Sequence, residues 1–302
     1  MNPIKALKAA AAAALIAGAV LPGSGLAEAK AAAPAPLLFI DGQVQSSALR
    51  VGGRILIQLR SLQDPDWLTY SYDAKTRTVR AASKDSSKVI ELKEGSRTAS
   101  VNGKPVPLDV SVVIRDGKTY VPVRFVSESM GAYVSYDSAK SRTVVRTPKG
   151  QKSYDALMGG DLAAARQAAI ALAVLPLKDP LAVEGEGFSV TYSFPAGEAL
   201  RYEMVYKQLL SSIVIDADGI AQTVYQRSEI YGQPAKEKGT KPKSIAPGYY
   251  FTDNVMADYI YYGSIDSNGE AKELEAIDRA SHPEYKDKLI VPIDGEKRTD
   301  GK

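Results

Sequence analysis

Apolar and polar positions follow a clear order in residues 118–146, which read KTYVPVRFVSESMGAYVSYDSAKSRTVVR. The first residues are β-branched or aromatic, which favours a strand. The apolar spacing that follows predicts a short helix over Phe125–Met130. Two more strands are predicted at Tyr133–Tyr136 and Thr143–Arg146, joined by a polar turn. A strand–helix–hairpin unit of this size buries too little surface to fold alone, so it requires a partner.

A second copy of this pattern lies 64 positions earlier, where residues 54–80 read RILIQLRSLQDPDWLTYSYDAKTRTVR. At this offset Ile57 corresponds to Val121. Two copies that each lack a closed core predict one compact module built from the pair. The copies differ where the helix is expected, because Pro65 in the first copy disfavours helix at the preceding residue. We therefore expect the first helix to be shortened or moved.

These residues resemble a known family. The motif VNGK at Val101–Lys104, followed by TYVPVRFVSESMGAYVSYDSAKSRTVV from Thr119, is similar to the copper amine oxidase-like N-terminal domain. This stalk domain is common in secreted proteins of spore-forming Gram-positive bacteria. The resemblance covers residues 37–148. It implies a twisted antiparallel sheet curled over a helix, and a non-catalytic accessory role.

The second half of the chain has a different pattern. An alanine-rich helix is predicted over Asp161–Leu175, with Asp161 as its N-cap and Pro176 after its end. Alternating segments then predict strands at Phe188–Phe194, Arg201–Lys207, Ser211–Ile215, Ile220–Ile230, Asp258–Ile265 and Ala271–Ile277. Two Asp/Gly turns, at 216–219 and 266–269, predict hairpins. Between them, the basic, Pro/Gly-rich segment 233–247 is interpreted as a mobile loop.

The start of the chain predicts export. Lys5 and Lys8 precede the apolar run Ala9–Val20, and small residues follow it, as in a secretory signal peptide. The run is shorter than the ~20 residues of a spanning helix, so we expect no stable membrane anchor. The predicted location is secreted and extracellular, with association to the cell wall as a further hypothesis.

The sequence as a whole predicts an α+β protein. A repeat-built twisted antiparallel sheet with a short helix is followed by an antiparallel meander packed on one helix. The predicted organisation is a signal peptide (1–29), an Ala/Pro linker (30–36), the stalk-like domain (37–148), a linker (149–160), an α+β domain of unknown function (161–294) and a disordered tail (295–302).

Composition narrows the chemistry. The chain has 38 basic and 35 acidic residues, a net charge of +3, which does not favour nucleic acid as a partner. It has no cysteine, so thiolate nucleophiles and sulfur metal ligands are excluded. The single histidine, His282, does not suffice for the multi-histidine copper site of an amine oxidase. We predict no catalytic residue, no metal site and no cofactor.

Tyrosines on the predicted strands of the second half are the most suggestive feature. A row of them suits a recognition surface for glycan or protein, although strands also favour tyrosine for packing alone. The proposed ligand surface comprises Tyr249, Tyr250, Tyr259, Tyr261 and Tyr262. The expected partner is cell-wall polymer, matrix or another exported protein, bound without catalysis.

Two alternatives stay open. A glycan hydrolase needs only two carboxylates, and Glu203, Glu229, Asp253 and Asp258 are candidates. Two carboxylates facing each other across a pocket would support this reading. The other alternative is a carrier of lipid or small molecules, which requires a dry apolar pocket.

Arg60 and Arg124 invite a carboxylate-binding interpretation, but pairing with an acidic residue such as Asp137 is favoured. Trp67 is interpreted as a core residue rather than a sugar-stacking one.

Overall fold

A computed structural model describes residues 37–230, 232–254 and 256–301. The predicted signal peptide and Ala/Pro linker lie outside the described residues. The strands are mainly antiparallel and are accompanied by α-helices, so the predicted α+β class is observed. Among the described residues, no helix has the length and apolar character needed to cross a membrane.

The N-terminal module, residues 37–147, is built mostly from short strands. These are β1 (Leu37–Ile40), β2 (Gln43–Val44), β3 (Leu49–Val51), β4 (Arg54–Gln58), β5 (Leu68–Asp73), β6 (Thr78–Ser83), β7 (Val89–Lys93), β8 (Thr98–Val101), β9 (Lys104–Pro107), β10 (Val113–Arg115), β11 (Lys118–Pro122), β12 (Tyr133–Asp137) and β13 (Arg142–Arg146). Helix α1 spans Val123–Ser129, and a single 3-10 turn spans Leu59–Leu62.

The element order of this module matches the repeated sequence pattern. Strand β11, helix α1 and the β12–β13 hairpin follow one another as predicted, and β4, the 3-10 turn, β5 and β6 follow in the same order. The turn stands where the second copy has its helix, so the first helix is shortened. Strands β4 and β11 pair antiparallel with Ile57 opposite Val121, which are equivalent positions of the two copies.

The family resemblance implied one curled sheet, but the strands of this module form three sheets. The strand orders are β12-β13-β1-β2, β10-β11-β4-β3 and β5-β6-β7-β8-β9. Strand β1 pairs parallel with β13, a long-range pairing that the local pattern does not encode. Two tight turns fit their sequences, since Asp41–Gly42 and Asn102–Gly103 all have positive φ, which a type I′ hairpin turn requires.

The core of the N-terminal module lies between these sheets and α1. Leu38, Ile57, Val121 and Val126 are fully buried within one cluster. Trp67 belongs to the same cluster, and its indole Nε1 donates a hydrogen bond to the Met130 carbonyl at 3.0 Å. This confirms the interpretation of Trp67 as a core residue with a satisfied polar tip.

The C-terminal module, residues 148–301, consists of two helices and one large sheet. Its elements are α2 (Pro148–Met158), α3 (Leu162–Ile170), β14 (Val174–Leu175), β15 (Ser189–Pro195), β16 (Arg201–Tyr206), β17 (Leu209–Ile215), β18 (Ala221–Ser228), β19 (Lys236–Gly239), β20 (Gly248–Asn254), β21 (Tyr259–Ile265), β22 (Ala271–Asp278) and a 3-10 turn at Pro283–Tyr285. The sheet order is β14-β18-β17-β16-β15-β20-β21-β22, and β19 pairs with β18.

The helices differ from the prediction in extent. Helix α3 begins after Asp161, whose carboxylate accepts from the Ala164 amide at 3.0 Å, but it ends at Ile170. The expected last turn gives way to β14, because Leu175 precedes a proline and pairs with β18. The segment 149–160 is not an extended linker, since α2 occupies most of it.

Two further segments are ordered differently from the prediction. The segment 233–247 contains β19, which is hydrogen-bonded to β18 from Tyr225 to Ser228. The tail was expected to be disordered, yet the Glu296 carboxylate accepts from Arg166 at 2.7 and 2.8 Å. Asp300 in turn accepts from the backbone amide of Ala199 at 2.8 Å. The tail contacts are long-range pairs that composition cannot reveal.

Candidate functional site

The predicted tyrosine row divides between the two faces of the C-terminal sheet. Tyr249 and Tyr262 pack against the hydrophobic core, and Tyr262 stacks on buried Phe251 with ring centroids 6.3 Å apart. Neighbouring side chains along a strand point to opposite faces. Tyr250 and Tyr261 therefore lie on the face opposite the core, which we call the outer face, because they adjoin buried Phe251 and Ile260.

Tyr259 shares the outer face with Tyr261, two positions further along β21. The two rings stack with centroids 6.0 Å apart and an interplanar angle of 23°. Tyr250 lies over Gly263 of the neighbouring strand, and a Cβ at Gly263 would approach the Tyr250 hydroxyl oxygen to 2.7 Å. Glycine is thus required there for the tyrosine to lie flat on the sheet.

One line of residues crosses the outer face from edge to edge. Strand register places the following residues side by side, and we call them the polar row: Gly239, Tyr225, Ser212, Glu203, Ser193, Tyr250, Gly263 and Glu273. Small residues separate the large ones. The row therefore presents Glu203 between serine hydroxyls, with a tyrosine further out on each side.

Glu203 has an unusual environment for a strand carboxylate. Burial raises the pKa of Glu203, against the opposing effects of a hydrogen bond from Ser212 and the charges of Arg201 and Lys241. The Ser212 hydroxyl donates to the carboxylate at 3.2 Å. The segment 240–247 is tied to β16 next to Glu203, because Arg201 donates to the Lys243 carbonyl at 2.7 Å.

Tyr225 lies near the β19 end of the polar row, next to Gly239. Only 4% of its surface is exposed. Burial, followed by the adjacent carboxylate of Glu237, raises the pKa of this phenol. Tyr225 is therefore a packed member of the row, and its hydroxyl is not open to a ligand on the outer face.

The other candidate carboxylates are paired with arginines. Asp253 and Asp258 lie 2.9 and 3.4 Å from the Arg279 guanidinium, and Glu229 pairs with Arg227. None of these three contacts Glu203, so the structure does not bring the four candidates together as a facing pair. No cluster of three potential metal ligands occurs within residues 37–230, 232–254 and 256–301.

The other residues that the sequence analysis considered, His282, Arg60 and Arg124, are exposed or paired with acidic residues near them in the chain. His282 is exposed, with its Nδ1 3.2 Å from the Glu284 carboxylate. Arg60 is also exposed. Arg124 pairs at 3.6 Å with Glu128 on its own helix rather than with Asp137. The favoured interpretation of Arg124, pairing with an acidic residue, is therefore confirmed with a different partner.

The Asp216–Gly219 turn has a role that the sequence did not indicate. Asp216 organises the turn by accepting from the amides of Asp218 and Ile220 at 3.0 and 3.2 Å. The same carboxylate lies 2.7 Å from Arg142 of the N-terminal module, and Asp218 accepts from Arg142 Nε at 3.1 Å. Burial would raise the pKa of Asp216, but the hydrogen bonds from Arg142 and Lys140 outweigh it and lower that pKa.

Comparison with known proteins supports the family resemblance of the N-terminal module. Residues 40–145 match the family described as the copper amine oxidase N-terminal domain. This family is a non-catalytic, stalk-like domain, and the match gives no support for amine oxidase activity. No curated protein matches the chain. The C-terminal module, which contains the polar row, lies outside the matched residues.

Proposed function

We propose that this chain is an exported, non-catalytic binding protein of the cell envelope. In this view its N-terminal module is a repeat-built scaffold, and the outer face of its C-terminal sheet recognises wall glycan. The export signal at the start of the chain supports the location. The stalk-like family of the N-terminal module supports a non-catalytic role.

The observation that carries the proposal is the set of aromatic rings on the outer face, where Tyr259 stacks on Tyr261 and Tyr250 lies on the neighbouring strand. Sugars offer hydroxyl groups as donors and acceptors, and apolar ring faces that stack on aromatic side chains. The polar row offers the matching groups, namely two serine hydroxyls, the Glu203 carboxylate and the ring of Tyr250. Stacked Tyr259 and Tyr261 extend this surface along the sheet.

The test is retention of the chain, from Lys30 onward, on purified Gram-positive cell wall at about 0.1 M and about 1 M salt. Specific recognition predicts retention at both salt concentrations, because high salt removes only a contact that depends on charge alone. Tyr250→Ala should reduce retention, whereas Tyr72→Ala, which removes an exposed tyrosine of the N-terminal module, should not. If the chain is retained at neither salt concentration, the proposal is overturned.

A glycan hydrolase is the second candidate, and the raised pKa of Glu203 is the observation that favours it. A carboxyl group whose pKa is raised by burial is what a general acid needs. The hydrolase hypothesis is weakened because the other candidate carboxylates are paired with arginines. Release of soluble sugar from cell wall, lost in Glu203→Gln, would establish hydrolysis. Wall binding without any release would support the binding function.

A further inference from the structure

A groove of about 420 Å³ opens on the N-terminal module, away from the polar row. It lies between strand β4, the first turns of α1 and strand β12. Ile55, Val123, Phe125 and Val134 give it an apolar lining, and Val123 is almost fully buried. This volume falls within the range of sites for small ligands.

Three arginines surround this apolar lining, from three different elements. Arg50 comes from β3, Arg54 from β4 and Arg124 from α1. All three are exposed, so their guanidinium groups lie at the rim rather than in the depth of the groove. A guanidinium group presents donors in a fork that matches a carboxylate. Asp109 and Glu128 line the same groove, so its apolar interior has a rim of three arginines and two carboxylates, with one net positive charge.

Two of these arginines have acidic neighbours, but their guanidinium groups remain available to a ligand. Arg54 lies 2.7 Å from Asp109, and Arg124 lies 3.6 Å from Glu128, but more than half of each of these four side chains is exposed. Exposed pairs of this kind are worth roughly 0–1 kcal/mol, so an incoming carboxylate can replace them. Within the described ranges no carboxylate lies within 4.0 Å of the Arg50 guanidinium.

We propose that this groove binds a ligand in which a carboxylate adjoins an apolar group. The apolar group enters between Phe125 and Val134, and the carboxylate meets the arginines at the rim. Both a free small acid and the carboxyl end of a peptide have this chemistry. The proposal concerns the N-terminal module alone and does not depend on glycan binding by the outer face.

Binding is measured by NMR titration of the full chain from Lys30 with four probes. Hydrocinnamate and N-acetyl-phenylalanine carry the carboxylate, and their neutral amides are the matched controls. We expect the acids to bind about threefold to tenfold more tightly than the amides. Tighter binding of N-acetyl-phenylalanine than of hydrocinnamate would identify the carboxyl end of a peptide as the ligand. Tighter binding of hydrocinnamate would identify a free small acid. Equal binding of acids and amides overturns the proposal.

Variants of the rim supply a second, directional test. Arg124→Met should weaken hydrocinnamate binding about threefold to tenfold. Asp109→Asn should strengthen it, because Arg54 loses its competing carboxylate. The matched control is Arg60→Met, since Arg60 is the equivalent arginine of the first copy and does not line the groove. If Arg60→Met weakens binding as much as Arg124→Met, or if Asp109→Asn weakens it, the assigned site is wrong.

Discussion

At the residue scale, Arg166 connects three segments that lie far apart in the chain. Its side chain is 1% exposed, and its guanidinium donates to the carbonyls of Glu198 and Pro195 at 2.9 and 3.0 Å. The remaining donors meet the carboxylate of Glu296. A buried charge is tolerated only when its donors are satisfied, and here the tail supplies the counter-charge.

We therefore expect Arg166→Met to lower the free energy of unfolding by about 3–5 kcal/mol, because the variant leaves the buried Glu296 carboxylate without its counter-charge, with only the Gly197 amide still donating to it. Urea unfolding measures the loss. The double variant Arg166→Met/Glu296→Gln should be clearly more stable than the sum of the single effects predicts. Additive losses would mean that the two side chains do not interact.

Glu203 gives a second prediction at this scale. Because burial raises its pKa in the folded chain, its deprotonation above the unfolded value disfavours folding. Glu203→Gln should therefore increase the free energy of unfolding at about pH 7 and have little effect at about pH 4, where the carboxyl group is protonated in both states. Unfolding curves at the two pH values test this. Stabilisation that is equal at both would assign the effect to packing instead of charge.

At the element scale, the C-terminal tail acts as a clamp on the β15–β16 turn. Asp300 accepts from the amides of Ala199 and Leu200 at 2.8 and 2.6 Å, and Thr299 donates its amide to the Gly197 carbonyl at 2.8 Å. These contacts satisfy backbone groups of a turn in which Gly197 and Ala199 are buried. The tail thus stabilises the sheet in addition to its pairing with Arg166.

Removal of residues 295–302 should consequently destabilise the chain by at least about 3 kcal/mol, since Arg166 and the turn amides lose their partners together. The urea midpoint reports this effect. Lys297→Ala is the control, because this exposed side chain lies within the same tail and its loss should change stability by less than about 0.5 kcal/mol. A truncated chain with an unchanged midpoint would contradict the clamp.

At the scale of the whole molecule, the two modules share a junction with both apolar and charged contacts. Phe39 and Val144 of the N-terminal module pack with Ile220 of the C-terminal sheet. Arg146 lies over the ring of Tyr154, 3.5 Å from its centroid. Together with Arg142 and its two aspartates, these contacts predict that the modules unfold together.

Arg142→Met should lower the stability of this junction by about 2–4 kcal/mol, because the variant leaves Asp216 and Asp218 without their shared cation. Calorimetry should show one transition for the unaltered chain and a lower transition temperature for the variant. Lys140→Met, at a half-exposed side chain that also meets Asp216, should cost less than about 1 kcal/mol. Equal effects of the two variants would contradict a special role for Arg142.

Local sequence pattern was enough to predict many elements. The order β11, α1, β12 and β13 and both Asp/Gly hairpins of the C-terminal sheet follow from period, turn residues and β propensity. The shortened first helix follows from Pro65, and the burial of Trp67 from its place inside a divergent copy of the repeated pattern. Each of these properties depends on residues close together in the chain.

Long-range pairing limited the prediction of the site. The sequence identified a tyrosine-rich second half, but Tyr249 and Tyr262 face the core while Tyr250 and Tyr261 face outward. Which face is buried depends on how the helices pack on the sheet. The polar row consists of residues from eight strands, and only the register brings Tyr225 and Glu203 into the same line.

By itself, the sequence determined the order of many secondary-structure elements, the repeated pattern, the family of the N-terminal module and the absence of cysteine chemistry, because these are properties of composition and local spacing. Tertiary structure alone decided the burial of Glu203, the order of the tail, the partners of Arg142 and the arginine-rimmed groove. Those features depend on which distant segments meet, and a segment's own residues do not encode the desolvation or the counter-charge that its neighbours provide.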